Sequence, residues 1–177
     1  MAKEIEKKFL LKENGVYHYT SFWTEIYPSW IDVEIDILGY GKKIRQGYMP
    51  LNSGIALART LGMNLDFNPE EARLRDKAGK FYFTIKGDGN LSRNEIEEEI
   101  DKDLFERWWD LTLRKRVEKV RLNRNREKYV LEIDLYTDRD LAIVEIEVPS
   151  IEIANSLTPL GKDVTENPLY KNKNLAK

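Results

Sequence analysis

Charged and apolar residues alternate along much of this chain, and a period of two predicts strands, because successive side chains of an extended segment point to opposite faces. The opening run, residues 4–11, puts Glu4, Glu6 and Lys8 on one face and Ile5, Lys7 and Phe9 on the other. The same alternation predicts strands over 31–37, 43–49, 71–75, 81–87, 92–100, 117–122, 129–135 and 141–148, with Pro50 and Pro149 as stops. Residues 77–80 and 87–90 read as hairpin turns, and 123–127 as an exposed hairpin tip. The Gly-Asp-Gly-Asn run at 87–90 has no phosphate-loop spacing.

Helical periodicity is confined to shorter stretches. Residues 54–61 predict a helix stopped at Gly62, inside an excursion between strands that covers 51–69. A second helix is expected over 103–114, capped by Asp103 and packing Phe105, Trp108 and Trp109 on a sheet. A short third helix is expected from residue 151 to 157.

Summing the strand faces separates two populations. One face collects Glu4, Glu6, Glu95, Glu97, Glu132, Asp134, Glu145 and Glu147 with Lys8, Arg73, Arg75, Lys86, Arg93, Lys119 and Arg121. The other collects Ile5, Phe9, Leu74, Phe83, Ile85, Ile96, Val120, Leu122, Ile133, Val144, Ile146 and Val148, and an apolar surface of that extent has to be covered. About eight strands with a polar charged lumen and helices packed outside is the arrangement a closed antiparallel β-barrel would give. The expected class is therefore α+β, as a single domain over 1–177.

Composition narrows the chemistry. The absence of cysteine removes thiolate catalysis and zinc-thiolate sites and fits a reducing, cytoplasmic setting. No apolar run is long enough to span a membrane. A net charge of −2, from 29 basic and 31 acidic residues, argues against a general nucleic-acid binder. Charged groups cost several kcal/mol each to remove from water unless partners compensate. A lumen of both signs is therefore self-paired, wet, or built for a charged guest. Arg and Lys matched to phosphate oxygens, beside carboxylates suited to Mg²⁺ or Mn²⁺, would bind a chain of phosphates with its metals.

The Glu4-Ile5-Glu6-Lys7-Lys8 run resembles the ExExK signature of the CYTH superfamily, the triphosphate tunnel metalloenzymes. Segments 44–49, 73–75, 83–87, 93–97, 119–121, 132–134, 144–147 and 160–165 resemble family segments in the expected order, so the resemblance spans nearly the whole chain. It implies an eight-stranded tunnel that binds a small-molecule triphosphate with Mg²⁺ or Mn²⁺. By position it makes Glu4, Glu6 and Lys8 the catalytic group, and Glu4, Glu6, Glu145 and Glu147 metal ligands. Glu95, Glu97, Glu132 and Asp134 would serve a second metal or hold basic residues in place. Lys8, Arg73, Arg75, Lys86, Arg93, Lys119 and Arg121 would grip phosphate, with Arg45 and Lys162 as further candidates. The excursion at 51–69 looks longer than the usual link and leaves open what covers one tunnel mouth.

The resemblance points to hydrolysis of inorganic tripolyphosphate to pyrophosphate and phosphate. Alternatives are a class IV-type adenylyl cyclase, a thiamine or nucleoside triphosphatase, and a non-catalytic polyphosphate-binding module. Tyr17, Trp23, Tyr27 and Trp30 are the aromatics that could stack a base, although core packing is the expected role. No role in the chemistry is expected for His18, the one histidine.

Overall fold

The computed structural model describes residues 2–20, 29–126 and 128–177. Trp23, Tyr27 and the end of the expected hairpin tip at Glu127 lie outside them. The strands are β1 (Ala2–Glu13), β2 (Val16–Tyr17), β3 (Lys42–Tyr48), β4 (Pro69–Lys77), β5 (Lys80–Gly87), β6 (Ser92–Ile100), β7 (Arg116–Arg126), β8 (Tyr129–Tyr136), β9 (Leu141–Glu147) and β10 (Lys162–Asp163). The helices are α1 (Trp30–Tyr40), α2 (Leu51–Thr60), α3 (Lys102–Trp109), α4 (Ile151–Ser156) and α5 (Asn172–Leu175). Hydrogen-bonded neighbours run β1-β6-β5-β4-β3-β7-β8-β9, and β9 pairs back onto β1. These eight strands form a closed antiparallel barrel with the helices outside, as the alternation predicts. No helix among the described residues is long and apolar enough to cross a membrane.

The chain divides into two compact units. The first comprises 1–4, 44–117 and 168–177. Here β4 and β5 pair in the register Arg73↔Thr84 and Leu74↔Phe83, closed by a turn in which Ala78 and Gly79 both have positive φ. Alternation sends Ala72, Leu74, Phe83 and Ile85 to one face, where Leu57 and Ala58 of α2 and Phe105 and Trp109 of α3 bury them. The 51–69 excursion therefore covers the apolar face of this sheet. Helix α2 stops before Gly62 as expected: the Gly62 N–H bonds Arg59 O and the Met63 N–H reaches Ala58 O, so both orphan carbonyls are satisfied around a left-handed glycine. The α3 cap is Asp101 in place of Asp103: its Oδ1 accepts from Leu104 N–H at 2.7 Å.

Close packing of α2 on β4 depends on Gly54, since a Cβ there would stand 2.1 Å from the Ala72 Cβ. Gly54→Ala is expected to destabilise by about 1–3 kcal/mol, because overpacking exceeds the gain of up to ~1 kcal/mol in helix propensity. Urea unfolding checks this, and unchanged or raised stability would contradict it.

The second unit comprises 5–43 and 118–167. Its strands β7, β8 and β9 carry Val120, Leu122, Leu131, Ile133, Val144 and Ile146 on the apolar face. The strand expected over 31–37 is instead the helix α1. Ser29 caps it by accepting from Asp32 N–H, and Trp30, Val33 and Ile37, spaced three and four apart, become its buried stripe. The tip expected at 123–127 is also corrected, because Asn123 to Arg126 stay in the ladder, from Asn123↔Glu132 to Arg126↔Tyr129.

Candidate active site

Each unit carries its own charged array on the face opposite its apolar core. In the first, Lys86 Nζ lies 2.8 Å from Glu4 Oε2 and 2.5 Å from Glu95 Oε2. Arg93 approaches the same Glu4 oxygen at 3.3 Å and Glu71 at 3.5 Å. Arg75 Nη2 donates to both oxygens of Glu97 at 3.0 Å. Arg73 Nη2 donates to Thr84 Oγ1 at 3.2 Å, and Thr84 in turn donates to Glu97 at 2.7 Å. Burial would raise the Glu95 and Glu97 carboxyls, but Lys86 and Arg73 at the first, and Arg75 and Arg73 at the second, outweigh it and leave both lowered. Arg73 is raised despite its burial by Tyr48 and the surrounding carboxylates, and its Nε is buried without a hydrogen-bond partner among the described residues.

In the second unit the ladder register does the assembling. Glu6 stands opposite Glu147, Lys8 opposite Glu145, Glu145 opposite Glu132, and Arg121 opposite Asp134. Lys8 Nζ lies 3.0 Å from Glu145 and 3.5 Å from Glu6. Asp134 is fully buried between Lys119, at 2.5 Å, and the Arg121 guanidinium, at 2.6 and 2.7 Å. Arg121 also pairs with Glu132 and, at 2.7 Å, with Glu145. Burial works against the Glu145 carboxylate, yet Lys8, Arg121 and Lys119 hold it well below its usual range. At Lys119 burial prevails over Asp134 and the amine is lowered. Arg121 is raised because its carboxylates outweigh its desolvation.

Two expected phosphate ligands fall elsewhere. Arg45 is one residue out of phase with the first array: its ladder partner is Asp76, whereas Gln46 faces Arg75 and Tyr48 faces Arg73. Its guanidinium bonds Asp76 at 3.0 Å and Glu106 at 3.1 Å, and lies 5.2 and 5.0 Å from the Phe105 and Trp109 ring centroids, on the helix-covered face. Lys162 is exposed on β10. In exchange the array includes Gln46, Tyr48, Glu71 and Thr84, which sequence reading did not single out although all share the strand parity of Arg73. Gln46 Nε2 donates to the Tyr48 hydroxyl at 2.8 Å, and burial pushes the Tyr48 phenol up. Among the aromatics considered for base stacking, Tyr17 and Trp30 pack on Tyr19 with centroids 5.8 Å away, and Trp30 is buried.

The second array holds Lys8, Lys119 and Arg121 against Glu6, Glu132, Asp134, Glu145 and Glu147, an excess of carboxylate that fits a hard divalent cation. Among the described residues no three acids or histidines close round a common centre. Mg²⁺ fits such a surface, since it is commonly held by one or two carboxylates and completed by water and substrate phosphate.

No protein-family model matches the chain. An inorganic triphosphatase of Nitrosomonas europaea is 38% identical over 112 residues, covering 60% of this chain and 74% of that protein. An inorganic triphosphatase of Acetivibrio thermocellus is 31% identical over 183 residues, covering 100% of this chain and 95% of its own length. Among solved structures, an inorganic triphosphatase superposes with a TM-score of 0.56 at 27% identity, over 99% of this chain and 95% of the other. Ordered motifs, barrel topology and full-length relatives agree: the chain belongs to the inorganic triphosphatases of the CYTH superfamily.

Proposed function

We propose that this protein hydrolyses inorganic tripolyphosphate to pyrophosphate and phosphate in a reaction that requires Mg²⁺ or Mn²⁺. The observation that carries this reading is the Arg73 guanidinium, buried and charged, with a donor left for an oxygen that none of the described residues supplies. The relatives' activity as inorganic triphosphatases supports it.

Arg73, Arg75, Lys86 and Arg93 bind phosphate oxygens, each exchanging a carboxylate partner for the substrate. Glu6 and Glu147, with Glu145 beside them, are the residues that would hold the divalent cation, and when bound it supplies charge neutralisation at the phosphate oxygens. Lys8 adds positive charge to offset the negative charge that develops on the leaving pyrophosphate. Asp134 holds the Lys119 and Arg121 cations in place through its short hydrogen bonds. Water adds to the terminal phosphorus as the bridging P–O bond breaks, and the carboxylates position it for in-line attack.

Phosphate release from tripolyphosphate, ATP and thiamine triphosphate, compared with Mg²⁺ and Mn²⁺, tests the proposal. The expected result is a kcat/KM for tripolyphosphate at least about tenfold above the others, reflecting preferential stabilisation of its transition state. Cyclic AMP from ATP with tripolyphosphate left intact would overturn the substrate, and metal-dependent binding without turnover would identify a non-catalytic module.

A further inference from the structure

The segment at 160–165 runs against β1 and grips it at Lys8. A Cβ at Gly161 would stand 2.2 Å from Leu10 O, so the approach is as close as a glycine permits. In β10, Lys162 pairs with Leu10 and Asp163 with Phe9. Beyond the strand, Val164 N–H donates to Lys8 O at 3.0 Å, and Lys8 N–H donates to Thr165 Oγ1 at 3.1 Å. Both main-chain groups of Lys8 are met from this side. We infer that Thr165 is a positioning residue for Lys8, its hydroxyl standing where a neighbouring strand would supply a backbone carbonyl.

The hydroxyl is itself held in one orientation. Its proton goes to Asp163 Oδ1 at 2.6 Å, the Lys8 carbonyl at 3.4 Å being the weaker acceptor. A lone pair is thereby left facing the Lys8 N–H. Asp163 also accepts from Thr165 N–H at 3.0 Å and pairs with Lys7. Burial works against the Asp163 carboxylate, but the bonds from Lys7 and Thr165 lower it, so the acceptor stays charged. Asn167 N–H returns to Val164 O at 3.0 Å, closing the turn that carries Thr165, and Thr165 is buried.

Main-chain direction at Lys8 governs where its amine lies. Val148 N–H bonds Ile5 O at 2.9 Å, so alternate residues of β1 from Ile5 bond toward β9 and Lys8 bonds away from it. Lys8 and Glu145 are then a non-hydrogen-bonded pair, the kind in which facing side chains stand closest. This sets Lys8 Nζ 3.0 Å from Glu145 and 3.5 Å from Glu6. Without the Thr165 hydroxyl, the Lys8 N–H would lose its acceptor in a buried place, and β1 would shift to find another. A displacement of about 1 Å at a group that offsets transition-state charge costs on the order of a hundredfold in rate.

This role rests on the proposed hydrolysis, and kinetics on tripolyphosphate at saturating Mg²⁺ test it. Thr165→Val is expected to lower kcat by about 10–100-fold with KM within about threefold, and Thr165→Ser to return kcat to within about threefold of wild type. A hydroxyl that only staples the fold would move the melting temperature and spare the kcat of the folded protein. A Thr165→Val kcat within about twofold of wild type, or no recovery in Thr165→Ser, would overturn the inference. Should Thr165→Val fail to fold, Thr165→Cys, with a sulfur that accepts only weakly, is read by the same criteria.

A second reading isolates the lysine. Added to Lys8→Met, Thr165→Val should cost less than about twofold more in kcat, because the hydroxyl acts through Lys8. A further loss of about tenfold or more in the double variant would refute that route. A wild type that binds tripolyphosphate without turnover would refute the hydrolysis instead. Thr165→Val should then weaken that binding about tenfold, and equal affinities would overturn the positioning role as well.

Discussion

Asp134→Ala is expected to lower the unfolding free energy by about 3–5 kcal/mol, the cost of leaving a buried charge without its partner. Both of its oxygens are occupied, by Lys119 and by two nitrogens of Arg121, and the carboxylate is inaccessible to solvent. Removing it would leave two cations buried and adjacent, with Glu145 and Glu132 to serve Arg121 but with Lys119 losing its short bond. A double replacement, Asp134→Ala with Lys119→Met, should recover part of the loss, because it removes the stranded amine as well. Urea unfolding of the single and double variants checks this. A loss under about 1 kcal/mol in Asp134→Ala would mean that the pair contributes no more than an exposed ion pair does.

The second large effect is catalytic. Glu6→Gln is expected to reduce kcat/KM for tripolyphosphate by about a thousandfold and to weaken divalent-metal affinity at least about tenfold, while stability without metal stays level or rises by a few tenths of a kcal/mol. These opposite signs follow from one feature. Glu6 and Glu147 are ladder partners, so two like charges are held side by side, a cost in the folded protein and an asset toward a cation. Metal titration of activity, a direct binding isotherm and a metal-free melt separate the effects. Equal metal affinity in Glu6→Gln and wild type would remove Glu6 from the metal-binding group.

The barrel was legible because its signal is repeated: residues 71–75 of β4, 119–122 of β7 and 131–135 of β8 alternate apolar with charged residues, and the charged residues of each stretch fall on one face. Residues 31–37 carry the same alternation and form a helix. Ile-Asp-Val-Glu-Ile-Asp-Ile satisfies both periods, and the Ser29 cap with burial of Trp30, Val33 and Ile37 decides between them. Arg45 was misplaced by one residue, which in a strand is an error of a whole face. The division of labour among the acids was not readable, because it is set by cross-strand register. Asp134 falls opposite Arg121 while Glu6 falls opposite Glu147, and nothing local to either segment distinguishes the two carboxylates.

Both Glu97 oxygens accept from Arg75. Any anion that reaches this guanidinium competes with a tethered rival of unit charge, at high effective concentration and in good geometry. A monophosphate gains little from that exchange. On the proposed function, a longer phosphate chain would displace several such internal rivals at once, and the protein's own acids would set a threshold against shorter anions.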